Sequence, residues 1–135
     1  MRLEHVHQNH IAAIWPNVEG YLLQAMTHSA GEYTLDQLKA YLASGIQTLL
    51  VLTDGDKIYG AASVATENYP NACVAFITAI GGKDIAKPEH FSKLADWCRQ
   101  RGYTRIRGAA FEAVARLWRK QFQAKEIYRV VEIML

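Results

Sequence analysis

The residues in this chain best placed to do chemistry gather at one turn: Ile80, Gly81 and Gly82, followed by Lys83 and Lys87 ahead of Pro88. An apolar run over 72–80 stops at the glycine pair, and a polar stretch follows. Phe91, Leu94, Trp97 and Cys98 then recur at helical spacing up to a stop at Gly102. A strand, a glycine turn and a helix start together form a corner that suits an anion, because unpaired N–H groups and the helix dipole point into it. The same glycine pair serves equally well as a plain strand-ending turn.

Other reactive residue types are scattered. His5, His7 and His10 form an HxHxxH cluster, but no Cys or carboxylate set is spaced to complete a site, so no metal is expected. Cys73 and Cys98 lie in a strand pattern and on a helix face with no CxxC, which reads as two buried free thiols in a reducing, cytoplasmic setting. Arg99, Arg101, Arg105, Arg107, Arg116, Arg119 and Lys120 make a basic cluster. It suits the phosphates of a cofactor or an acidic protein partner. Nucleic acid is the less suitable partner, since the interleaved residues are aliphatic and offer no stacking platform.

The elements that must position these residues can be read from composition and periodicity. The length of 135 residues suits one domain, and half the residues are hydrophobic. No apolar run approaches the ~20 residues of a membrane span, and the first residues carry no hydrophobic signal-peptide core. Net charge is +2 but uneven: three Lys or Arg against seven Asp or Glu up to Glu67, then twelve against six. The second half is therefore expected to meet something anionic.

In chain order, residues 2–6 read as a weak strand. Residues 10–26 form an apolar helical stripe, with Pro16 and Gly20 expected to bend or split it. A loop over 28–33 leads to a helix that starts at Thr34 with Gln37 in a capping-box pairing and ends at Gly45. Residues 47–53 and 57–67 are strands joined by the hairpin signal Asp54-Gly55-Asp56, with a bulge or close approach expected at Gly60. The strand over 72–80 completes an antiparallel meander, and the helix over 88–101 leads to a short strand over 104–109. A helix over 111–122 and a final strand over 126–134 close the chain. The strand–helix–strand unit implies a right-handed crossover, so the expected architecture is α/β, with a mixed, mostly antiparallel sheet flanked by about four helices.

This order resembles the GNAT superfamily of N-acetyltransferases, over essentially the whole chain and as one domain, 1–135. "TLLVLTDGDKIYGAASV" is similar to the paired strands before the acyl-CoA site of that family, "FITAIGG" to its splayed central strand, and "EAVARLWRKQFQ" to its late helix. The chain is also similar to small GNAT-like proteins of tailed phages. The resemblance implies acetyl-CoA as cofactor and an amine as substrate, with Ile80, Gly81, Gly82, Lys83 and Lys87 on the cofactor side and His28 and Glu32 on the acceptor side. Glu67, at a strand end, is the expected base. The tyrosine that protonates the leaving thiolate in many members falls closest to Trp118, whose indole is no usable acid, so that role is unfilled unless Tyr128 or Tyr103 substitutes. The phosphate loop departs from the family pattern, with no glycine after Gly82 and with Asp84, Glu89 and Pro88 in it. That departure supports the alternative implied by the phage resemblance: a non-catalytic GNAT-fold virion or assembly protein, located in the particle or in the host cytoplasm.

Overall fold

The computed structural model describes Met1–Leu135. Five strands form one sheet in the order β1 (Arg2–Val6), β2 (Thr48–Thr53), β3 (Ile58–Tyr69), β4 (Ala72–Gly81) and β5 (Arg105–Gly108). Neighbours run antiparallel except β4 and β5, which are parallel across the crossover helix α3 (Pro88–Gln100). The helices α1 (Ile11–Met26) and α2 (Leu35–Ala43) cover one face, and α3 with α4 (Glu112–Phe122) covers the other. The expected α/β architecture is the observed one.

Side-chain alternation along β2 explains the two layers. Leu49 and Val51 point at Ile11, Val18 and Leu22 of α1 and at Leu38 and Leu42 of α2. Leu50 points the other way, toward Leu94 and Cys98 of α3. Burying each such side chain contributes about 1.5–3 kcal/mol. The stripe Ile11, Trp15, Val18, Leu22 keeps α1 continuous: Pro16 sits inside it without splitting it, and a Cβ on Gly20 would meet nothing, so that glycine faces solvent. The capping box of α2 is present in both directions, Thr34 N–H to Gln37 Oε1 at 2.9 Å and Gln37 N–H to Thr34 Oγ1 at 3.2 Å.

The final strand expected over 126–134 does not form. α4 ends where Gln123 takes a left-handed conformation, and after Ala124 no main-chain group bonds to another. Ile127, Tyr128 and Val130 and Val131 are β-prone residue types, but that propensity describes how a side chain suits a sheet; it supplies no neighbour for the main chain.

Candidate active site at the parting of β4 and β5

β4 carries two irregularities in its partnerships, and together they create an opening. On the β3 side, Val64 pairs with Ile77 and Ser63 with Ala79, so Thr78 is the extra residue of a bulge. On the β5 side, pairing runs from Val74↔Arg105 to Ile77↔Gly108 and stops. Residues 78–81 of β4 thus keep a partner on one edge only. The strands part at Ile77, three residues before Ile80 and the glycine pair.

The bulge turns Thr78 toward a polar network between strands. Its hydroxyl donates to Gln47 Oε1 at 2.7 Å, which leaves the Ser63 hydroxyl, 2.6 Å away, to donate to Thr78. Gln47 and Ser63 are buried, and the two hydroxyls and Gln47 Oε1 are all hydrogen-bonded, which stiffens the point of separation. These three residues were not singled out by sequence. The available signal was one polar residue inside each of two apolar strands, in "AASVA" and "FITAI".

Beyond the parting, the glycine pair has a packing reason. A Cβ on Gly81 would overlap the carbonyl of Tyr21, so α1 lies main chain to main chain on the end of β4. Gly82 has φ +103°, and a Cβ there would sit 2.5 Å from Tyr59 O. Gly60, next to the bulge at Tyr59, leaves room for Ile85, whose side chain is buried against Leu52 and Ala62. Close approach, as expected at Gly60, therefore extends to Gly81 and Gly82, and neither of those two lines an open cradle.

The loop that follows is where donors remain free. The amides of Lys83, Asp84, Ile85 and Ala86 enter no hydrogen bond. His90 anchors the loop: its Nδ1 lies 2.6 Å from Asp84 O and, since a carbonyl only accepts, Nδ1 carries the proton. Lys87 is bound to Asp84 at 2.9 Å, and that hydrogen bond raises its pKa. Lys83 is exposed without an ion pair and is the free cation of the corner.

The other expected site residues fall elsewhere. Glu67 pairs with Val74, six residues from Ile80, which is roughly 20 Å along a strand. Its Oε2 accepts from Tyr69 OH at 3.1 Å, and this bond raises the Tyr69 pKa. Tyr128 is close enough to Tyr69 for its charge to act on the same hydroxyl, and the Arg107 guanidinium stacks 5.9 Å from the Tyr69 ring. The structure therefore brings Glu67 and Tyr128 to one place, the hairpin end of β4, and Ile80, Gly81 and Gly82 to the other. Tyr103 also sits at the hairpin end, hydrogen-bonded to Thr66. His28 and Glu32 occupy the loop after α1, a turn and a half of helix past the Tyr21–Gly81 contact, with Glu32 accepting from Ala30 N–H. At the parting itself the aromatic residue is Trp118, whose ring covers Gly108.

Outside this region, the His7 and His10 rings are 6.1 Å apart while His5 faces Trp97, and no group of three or more His, Cys, Asp or Glu is gathered to hold a metal ion. Cys98 is buried and free, and desolvation pushes its thiol up to about 11, well away from a nucleophile's range. Cys73 is half-buried rather than buried. No helix is long and apolar enough to cross a membrane.

A parallel pair that opens beside a helix start, inside a mixed five-stranded sheet with two helices on each face, is a GNAT-like fold. Solved structures agree. A probable acetyltransferase superposes with TM-score 0.69 at 15% identity, over 100% of this chain and 97% of that one. A predicted acetyltransferase with acetyl-CoA from Clostridium acetobutylicum gives 0.67 at 12%, over 98% and 95%. A ribosomal-protein-alanine N-acetyltransferase from Brucella melitensis biovar Abortus 2308 gives 0.68 at 14%, with both chains covered fully, 100% each. At these identities the likeness is one of fold. No family model matches the sequence, and no curated protein matches it.

Proposed function

We propose that this protein is an acyl-CoA-dependent N-acyltransferase that transfers an acetyl group to an amine. The observation that carries the reading is the one-sided edge of β4 over 78–81, lying next to four unused amides at 83–86. The donor set fits an acyl-CoA in part. The amides of 83–86 and the Lys83 ammonium would hold the pyrophosphate, and the open edge of β4 from Thr78 to Ile80 would bond the amide-bearing arm. Gly81 and Gly82 would contribute by letting α1 and β3 approach, not by wrapping phosphate. When bound, the acyl-CoA supplies an activated thioester. A β4 N–H on the open edge would polarise its carbonyl, and the rigid Ser63–Thr78–Gln47 chain would keep that N–H aimed. His28 and Glu32, on the loop past α1, are the titratable groups offered to an incoming amine; Glu67 would need water to relay a proton across the separation described above.

A second reading, a non-catalytic GNAT-fold component of a phage particle, draws support from two residues. Trp118 sits at the parting with an indole that cannot protonate a thiolate, and Asp84 already neutralises Lys87. Thermal unfolding with added acetyl-CoA separates the two readings. The transferase is expected to melt higher, since a ligand at a hundred times its Kd stabilises the native state by about 2.7 kcal/mol. An unchanged melting temperature at millimolar acetyl-CoA would overturn the transferase, and co-purification in fixed copy number with a larger particle would establish the second reading.

A further inference from the structure

β1 and β2 separate at one end of the sheet, and a polar cavity fills the gap. Their ladder stops at Val6↔Leu49. From there β1 runs into a single 3-10 turn, Gln8–His10, while β2 is entered from the end of α2 through Gly45. The space between holds about 210 Å³ and is lined by His5, His7, Gln8, Gln47 and Thr48, with no Asp, Glu, Lys or Arg among its walls. We propose that this cavity is a binding site for a small carboxylate, one oxygen of which accepts from the carboxamide N–H of Gln47.

Gln47 is only 4% exposed, and its side chain is half used. Oε1 accepts from Thr78, while Nε2 enters no hydrogen bond. Trp97 Nε1 is the one side-chain nitrogen or oxygen sealed from solvent without a partner, so Nε2 keeps an opening, and the opening is the cavity that Gln47 lines. A nearly buried N–H without a partner is unfavourable, and an acceptor of the right size relieves it.

The remaining walls also offer donors. His7 Nδ1 accepts from Asn9 N–H at 3.1 Å, and Arg101 Nη2, which can only donate, approaches His5 Nδ1 at 3.4 Å. Each neutral ring therefore carries its proton on Nε2 and has a donor left to give. Gln8 lies across Gly45 so closely that a Cβ at that glycine would stand 2.0 Å from Gln8 Oε1, which places a second carboxamide at the rim. A carboxylate takes several donors and has no hydrogen of its own to place, and such bonds are strengthened by its charge. A neutral amide would bring N–H groups with little but Gln8 Oε1 and the Thr48 hydroxyl to receive them. The volume lies below the ~300 Å³ at which drug-sized pockets begin, so the occupant is an acid of a few carbons. The same Gln47 carboxamide holds Thr78, so an occupant that fixes it also steadies the bulge where β4 and β5 separate.

Nuclear magnetic resonance titration of the isotope-labelled full chain with sodium acetate tests the site with no acyl-CoA present, so it stands or falls apart from the transferase reading. Ligands this small bind weakly, and the titration therefore runs to about 100 mM, beside sodium chloride at equal ionic strength and neutral acetamide. The Gln47 side-chain NH2 signals are expected to shift saturably with acetate and not with chloride or acetamide. Gln47→Glu keeps an oxygen for Thr78 and sets a second one where Nε2 stood; followed through the Thr48 amide, it is expected to weaken acetate by about tenfold or more. Gln8→Ala, at the exposed rim, is expected to weaken it roughly threefold. The absence of a saturable shift overturns the site, as does a folded Gln47→Glu that binds acetate equally well. If that variant does not fold, Gln8→Ala decides, and an unchanged affinity overturns the site. Equal shifts with chloride or acetamide overturn the carboxylate.

Discussion

Up to Cys98, helices cover both faces of the strands they pack on, and all of the fully buried side chains lie there. Beyond Cys98, β5, α4 and residues 123–135 bury none completely, although α4 is a well-formed amphipathic helix. The difference lies in neighbours rather than composition. α1 packs on β3 and β4 and is itself flanked by α2, whereas α4 rests on Gly108 and Phe91 at the rim of the sheet. An amphipathic helix on a bare edge has only half of a core to face. The candidate site sits on the border between these two regions, with β4 firm on one side and β5 lightly held on the other.

This contrast can be broken most severely at Gly81. Gly81→Ala pushes a methyl group into the main chain of Tyr21, where nothing flexible can yield, and is expected to cost about 3 kcal/mol or more in urea unfolding. A loss below 1 kcal/mol would mean that α1 is not seated on β4 as described. Trp118→Ala tests the loose side. The ring meets Phe91 and Phe122 edge-on and covers Gly108 but is half-exposed, so a loss of about 2 kcal/mol is expected, less than for a fully buried Trp. If it matched Gly81→Ala, the two regions would be equally packed.

The smallest effect is electrostatic. Asp54 accepts from the amides of Lys57 and Asp56 and from Tyr59 OH, which holds its carboxyl at about 2 instead of 3.8. A carboxylate with a lowered folded pKa contributes stability above its unfolded value and loses it as the pH falls through the folded one. The Asp54 contribution is thus complete above pH 4 and fades toward pH 2, modestly, since the group is solvent-exposed. Acid unfolding of Asp54→Ala should show a shallower slope in that window than the parent, and identical slopes would remove the turn from the account.

What the sequence made legible follows from where the information resides. Element order was readable because the period of the apolar residues changes from 3.6 to 2 at each boundary, and the parallel β4–α3–β5 unit followed from chain handedness. The bulge at Thr78 was not readable, because it is a mismatch between two strands and neither strand encodes it alone. Gly81-Gly82 looked like a phosphate turn because glycine signals close approach without naming what approaches; here it is Tyr21 and Tyr59. Glu67 and Ile80 looked like members of one site until the length of β4 separated them. Residues 126–134 have the composition of a strand, and a strand is a relation between two segments.

The seam between α1 and β4 has one more consequence. Main chain pressed on main chain leaves no side chain to swing aside, so α1 and β4 move as one body. Any widening of the slot must come from β5 and α4, which makes the wedge between the strands behave as a vice with one fixed jaw and one sprung jaw. A bulkier guest would then be recorded as motion of Gly108 and Trp118, with Thr78 staying still.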